Sequence, residues 1–485
     1  MTIVATAHGK VRGTEENGVA VFRGIPYAAA PFGEHRFAAP APVTPWSGVR
    51  DALAFGPTAP KLPYTPPLDA LLPDPDIAGD DCLNLNVWTP APGAGRLPVM
   101  VWIHGGSLRN GSAALDVYDG RAFARDGVVL VSLNYRLGIE GFGVFPDAPA
   151  NLGLRDQIAA LTWVRENIEA FGGDPENVTV FGESAGGISI AALLTSPHAR
   201  GLFRRAVIQS GAPMALPRDK ARRTTAAIAK RLAIPATARD FAAADRTALL
   251  AAQGDVTRGG NPLTGSAGFQ PVIDGDVLPD DPARALAAGA AADIDLLLGT
   301  TSEEYRLWFL PSGVADRIGR LTLRLALAKF RIPQRAARLY AAGRPGANPG
   351  EVLGAIATDK LLRIPLYRLA DARTAGPTSA HAPTAGRTYL YEFAWRTRVQ
   401  RLGACHALEL GFVFDTLDTD EARALTGPDA PQPLADAMHR AWVAFATTGD
   451  PGWRGWDAAR PVMTFDADGT EVTEAPREAE RALWD

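Results

Sequence analysis

The chain has 485 residues, 47% of them hydrophobic. That is enough to bury a large core, and it excludes a disordered chain. A net charge of -4 gives no basis for binding nucleic acid or an anionic membrane surface, and the two cysteines, Cys82 and Cys405, exclude both a disulfide framework and a Cys-rich metal site.

In chain order, residues 1 to about 60 read as short antiparallel strands, including 9–13 and 19–27. The Pro-rich stretch 60–80 reads as an irregular loop. Residues 97–103 and 127–133 are continuous apolar runs, as expected of strands covered on both faces. Residues 157–171 carry Ile158, Leu161, Val164 and Ile168 at helical spacing. Strands are predicted at 177–181, 205–210, 294–299 and 387–393, and a helix at 434–445. Ala/Arg-rich helical stretches cover about 214–260 and 315–385; the arginines of the second read as solvated faces. Strands alternating with helices imply an α/β protein with a mostly parallel sheet. No run of ~18 apolar residues is present, so no membrane-spanning helix is expected. Residues 1–10 lack a basic segment followed by an apolar core. With the free thiols, this leads to the expectation of a cytoplasmic protein.

The most informative segment is Gly182-Glu183-Ser184-Ala185-Gly186-Gly187. It follows a β-branched strand and precedes an apolar helix. Glycines two before and two after the serine permit a sharp turn that exposes its hydroxyl. A serine hydroxyl needs a base, an acid to orient that base, and donors for the oxyanion. In folds that use this turn the order is Ser, acid, His. His198 comes too early, His381 lies in a Pro/Ala/Thr loop, and His439 sits inside the predicted 434–445 helix. His406, in a loop after the last strong predicted strand, is the preferred base. The acid is predicted just past strand 294–299, at Glu303 or Glu304. Asp274 and Asp276 read as local turn formers. Ala185 and the small residues of His104-Gly105-Gly106-Ser107, after strand 97–103, are placed to supply oxyanion N–H groups. His104 reads as a brace for that loop. Cys405 beside His406 is not read as catalytic, because loop neighbours usually point apart.

Together these segments resemble the type-B carboxylesterase family, the carboxylesterase/cholinesterase-like α/β hydrolases, nearly end to end. The resemblance rests on 22–28 (Phe-Arg-Gly-Ile-Pro-Tyr-Ala), 81–87 (Asp-Cys-Leu-Asn-Leu-Asn-Val), 104–106, 134–138 (Asn-Tyr-Arg-Leu-Gly), 171–175 (Phe-Gly-Gly-Asp-Pro), 182–187, 209–211 (Gln-Ser-Gly) and 274–275 (Asp-Gly). The composition is most similar to bacterial members. The resemblance implies one α/β-hydrolase domain over 1–485: a central, mostly parallel twisted sheet flanked by helices, small N-terminal antiparallel strands, and the two helical insertions around the active-site entrance. It implies a serine carboxylesterase working through an acyl-enzyme, without cofactor or metal. It places the acid at Glu304 rather than Glu303 and the base at His406, in Gly403-Ala404-Cys405-His406-x-x-Glu409. Ser184 matches the nucleophile, and Gly105, Gly106 and Ala185 match the oxyanion donors.

Ser210 and Glu183 are expected to be supporting residues. Leu108, Trp308 and Phe309, close in sequence to these loops, are candidate pocket walls, with plain core packing as the other reading. Two departures stand out. Relatives often carry an aromatic after the oxyanion glycines, where this chain has Ser107-Leu108, and Cys82 has no upstream cysteine to pair with. The expected partner is a small-molecule ester, and the expected state a monomer or small homo-oligomer. Amide or carbamate hydrolysis by the same triad, and a non-catalytic binding protein, are the alternatives.

Overall fold

The computed structural model describes residues 1–258, 268–375 and 385–485. Its strands are β1 (Thr2–Thr6), β2 (Gly9–Glu16), β3 (Val19–Pro26), β4 (Val49–Asp51), β5 (Asn84–Thr89), β6 (Leu97–Ile103), β7 (Val129–Leu133) and β8 (Gly173–Glu183). There follow β9 (Arg205–Gln209), β10 (Leu216–Pro217), β11 (Val272–Ile273), β12 (Asp295–Thr301), β13 (Thr388–Phe393), β14 (Pro461–Asp466) and β15 (Gly469–Glu474). All but the small β10–β11 pair form one sheet, ordered β1-β2-β3-β5-β7-β6-β8-β9-β12-β13-β14-β15, with β4 beside β2.

From β7 to β14 neighbouring strands run parallel. The β1-β2-β3-β5-β7 end and the β14-β15 hairpin are antiparallel. The chemistry of the sequence explains this split. β6, β7 and β9 and the second half of β8, from Val178, are mostly apolar and almost wholly buried, as strands sandwiched between helices must be. β2 alternates exposed and buried positions, as suits a sheet end that meets water.

The helix read at 157–171 starts earlier, spanning Leu152–Asn167, and finishes in a 3-10 turn closed by Gly172 at φ +88°. The strand at 387–393 is not terminal. β14 lies parallel beside it, and Asp466–Gly469 turns the chain into β15.

The 214–260 stretch forms helices Arg218–Leu232, Ala238–Ala243 and Arg246–Thr257. The 315–385 stretch forms several, among them Arg320–Lys329, Pro349–Thr358 and Ile364–Ala375. His381 and the ends of both predicted insertions lie outside the described residues. No helix among the described residues is long and apolar enough to cross a membrane. Both cysteines are buried and unpaired.

The parallel strands β6, β8, β9 and β12 all carry their chains to the same edge. Their C-terminal ends bring 104–106, 183–185, 209–210 and 302–304 together. In open parallel sheets this is the edge where loops meet to build sites.

Candidate active site

Ser184 leaves β8 with φ 55° and ψ -118°, and the Ala185–Leu193 helix begins directly after it. A non-glycine residue there is strained by about 1–3 kcal/mol, so the surroundings must hold it. Two hydrogen bonds do so: Ser184 N–H donates to the Gln209 carbonyl at 2.8 Å, and the Ser184 carbonyl accepts from Ile188 N–H at 2.9 Å. The flanking glycines are needed for close approach. A Cβ on Gly182 would stand 2.6 Å from the Ile103 carbonyl oxygen, and one on Gly186 would strike that same carbonyl.

Two glutamates adjacent in sequence have separate fates. Glu304 is fully buried, and its Oε1 accepts from Thr301 N–H at 2.9 Å and from the Ser210 hydroxyl at 2.6 Å. Its Oε2 lies 2.5 Å from His406 Nδ1. Glu303 turns away to Arg396 at 3.2 Å and Arg306 at 3.6 Å, and accepts from Ala404 N–H at 3.1 Å. Ser210 is itself at φ 50°, a second strained serine at the end of the strand beside β8. His406 N–H donates to the Glu304 carbonyl at 3.2 Å, and the Trp308 ring lies 4.7 Å from the imidazole.

His406 Nε2 lies 2.9 Å from Glu183 Oε1. Burial opposes a charged imidazole, but the carboxylates of Glu183 and Glu304 outweigh it and hold His406 well above its ordinary range. Burial pushes Glu183 up, with His406 pulling the other way. Burial thus favours the uncharged form of each group, while their mutual attraction favours the ion pair.

The loop after β6 is rigid for local reasons. His104 Nδ1–H donates to the Gly105 carbonyl at 2.8 Å, and the Tyr135 hydroxyl donates to the His104 carbonyl at 2.8 Å. The two rings stack at 4.5 Å. Burial lowers His104 to about 3, so this ring is neutral at working pH and braces the loop, as expected. Gly106 sits at φ +110°, where an L side chain is strained, and a Cβ on Gly105 would meet the Glu183 carbonyl oxygen at 2.8 Å. Ala185 N–H, in the first helical turn, has no helical acceptor. Asp74 fixes the loop from the far side, accepting from Asn110 Nδ2 at 3.0 Å and Gly111 N–H at 3.2 Å.

One pocket is lined by Gly105, Gly106, Ser107, Glu183, Ser184, Trp308 and His406. Its outer walls are mostly apolar: Leu71, Leu72 and Pro73 from the Pro-rich loop, Leu115, Val117 and Tyr118, and Leu408, Leu410 and Leu425. Of the three candidate wall residues only Trp308 lines it. Leu108 is buried in the main core, and Phe309 packs edge-on against Tyr305 in the helical layer. Phe309 follows Trp308 on the helical turn Arg306–Phe309, where successive side chains point about 100° apart, so it faces the helical layer instead. Among the described residues, neither helical insertion supplies a lining residue. Sequence reading missed the Leu71–Pro73 wall, for which the Pro-rich loop gives no periodic signal. It also missed the wall following His406, which the apolar run 408–414 could have signalled.

Two of the other histidine candidates have structural partners. His439 Nδ1 donates to the Val413 carbonyl at 2.8 Å, and His198 pairs with Asp276 at 2.7 Å on the surface. Asp274 accepts from Asp276 N–H and Leu278 N–H, making the local turn that was predicted. Burial pushes the Cys405 thiol well above its ordinary range, so it is held neutral.

The carboxylesterase family model matches residues 1–484. The chain is 39% identical to the para-nitrobenzyl esterase of Bacillus subtilis (strain 168), with 99% of this chain and 98% of that one aligned. It is 36% identical to the phenmedipham hydrolase of Pseudarthrobacter oxydans, covering 97% and 96%. Among solved structures, a carboxylesterase of Geobacillus stearothermophilus superposes with a TM-score of 0.88 at 36% identity over 100% of both chains. This agreement over the full length, with the α/β-hydrolase sheet, leaves one conclusion. The chain belongs to the carboxylesterase family of carboxylic-ester hydrolases.

Proposed function

We propose that this hydrolase acts on small carboxylic esters through Ser184, His406 and Glu304, with Gly105, Gly106 and Ala185 as oxyanion donors. The observation that carries the reading is the buried chain Ser210–Glu304–His406 opening on the pocket that Ser184 lines.

Ser184 Oγ attacks the ester carbonyl carbon as His406 Nε2 takes the hydroxyl proton. For this transfer Nε2 turns from Glu183 to Ser184. Glu304, anchored by Thr301 and Ser210, holds Nδ1–H and stabilises the imidazolium. The negative charge on the former carbonyl oxygen falls to the N–H groups of Gly105, Gly106 and Ala185, each contributing on the order of 3 kcal/mol. The intermediate collapses, His406 protonates the departing alkoxide, and an acyl-Ser184 ester remains. Water, deprotonated by His406, cleaves it to the acid. The apolar walls suit uncharged acyl and alcohol groups.

The test is hydrolysis of p-nitrophenyl butyrate with a chelator present. Ser184→Ala and His406→Ala should lower kcat by several orders of magnitude, Glu304→Gln by less, and Glu303→Gln hardly at all. A damaging Glu303→Gln beside a benign Glu304→Gln overturns the acid assignment. Matched ester, carbamate and anilide substrates then separate ester hydrolysis from cleavage of the other two bonds.

A further inference from the structure

Gln209 ends β9 with its side chain fully buried. Its two amide atoms have different partners. Oε1 accepts from Trp442 Nε1 at 3.1 Å, and Nε2 donates to Glu409 Oε1 at 3.2 Å. This orientation is chemically forced. An indole N–H can only donate, so the amide oxygen must face it and the NH₂ must face the carboxyl group. The backbone of the same residue holds the nucleophile, its carbonyl accepting Ser184 N–H at 2.8 Å. Gln209 thus touches the serine turn through its main chain and the histidine loop through its side chain.

Glu409, three residues past His406, is fully buried. Its Oε1 is engaged by Gln209, and its Oε2 has no hydrogen-bond partner among the described residues. Burial, and then the charges of Glu183 and Glu304, push this carboxyl up to about 8, with His406 pulling it down. The Tyr391 hydroxyl from β13 and the Cys405 thiol also feel its charge, and both are held neutral by burial. Because Oε1 receives an N–H, the proton of the neutral acid sits on Oε2.

We propose that Gln209 is a positioning residue for ester hydrolysis: locked by the Trp442 indole, its amide holds Glu409 in one orientation, leaving a single free oxygen, Oε2, within range of the buried charges of Glu183, Glu304 and His406. This rests on the assignment of His406 as base. Trp442, on the Gln432–Thr448 helix, is then part of the active site's support despite touching no catalytic group.

The experiment is the pH dependence of kcat for p-nitrophenyl butyrate between pH 5 and 10, with circular dichroism to verify folding. Gln209→Glu keeps the shape but exchanges the donor for a second carboxyl group, which shares a proton with Glu409. It should lower kcat about tenfold with little change in KM, and move the inflection at which kcat rises with pH, where His406 loses its proton, upward by about half a pH unit or more. Trp442→Phe, which leaves Gln209 in place but frees its amide to flip, should cause a smaller change of the same kind. The double variant should be no worse than Gln209→Glu alone. An unmoved inflection in a folded Gln209→Glu variant, or losses that add in log kcat, overturns the proposal. Ser184→Ala and His406→Ala run alongside: activity surviving in them refutes the triad assignment instead.

Discussion

Replacing Gly182 by alanine tests whether the sheet edge sets catalytic geometry. The new Cβ would lie 2.6 Å from the Ile103 carbonyl oxygen, 2.9 Å from the Gly186 carbonyl carbon and 3.1 Å from Ile190 Cδ1. The first two are backbone atoms, one just before the 104–107 loop and one in the first turn of the Ala185–Leu193 helix. Ordinary contact begins at 3.4 Å, so about 0.8 Å of movement has to be found between elements that cannot rotate away. Overpacking of this kind costs about 1–3 kcal/mol of stability. It also separates the Gly105 and Gly106 N–H groups from that of Ala185, and a displacement of this order lowers kcat about 10- to 100-fold. The assay is steady-state hydrolysis of p-nitrophenyl butyrate together with thermal unfolding. Gly187→Ala is the control, since its Cβ would meet nothing nearer than 3.1 Å; it should lose far less activity. A folded Gly182→Ala enzyme with wild-type kcat, or a larger loss in Gly187→Ala, would refute the reasoning.

Three further outcomes follow from buried charge. Asp74→Asn removes the partner of Lys61, 3.3 Å away with both side chains almost fully buried, and weakens the anchor of the 104–111 loop. It should destabilise by about 3–5 kcal/mol, raise KM, and speed protease cleavage within residues 62–73. His104 has a folded-state value of about 3 against 6.5 when free, so between those pH values the unfolded chain binds a proton that the folded chain does not. Stability therefore falls as pH falls, by about 2 kcal/mol between neutrality and pH 5, and His104→Asn should remove that part of the slope in denaturant titrations. The Cys405 thiol, kept neutral by burial, should resist iodoacetamide in the folded enzyme and react on unfolding, as followed by mass spectrometry. Rapid labelling of the native protein would contradict its burial.

Much of this molecule is written locally in its sequence. The apolar runs that become β6, β7, β8 and β9, the Gly-x-Ser-x-Gly turn and the small residues of 104–107 depend on near neighbours alone: burial on both faces, a tight bend, close backbone approach. The ends of elements were less legible. β14 and β15 are short and begin or turn at Pro461 and Gly469, so their pairing with β13 depends on a strand some seventy residues earlier. Glu303 and Glu304 are alike in type and adjacent in position. By residue pattern alone they are equivalent, and only resemblance to relatives favoured the second. Tertiary structure separates them, because the turn after β12 sends one side chain to Arg396 at the surface and the other inward to Ser210 and His406. The same holds for the pocket. Trp308 reaches it and Phe309, one residue on, does not, since successive side chains on a helical turn point about 100° apart. Sequence thus determined the family's chemistry this chain carries, through motifs a few residues long. Which copy of each residue type stands beside which was decided by strand order and side-chain direction, properties of the whole sheet that no short segment contains.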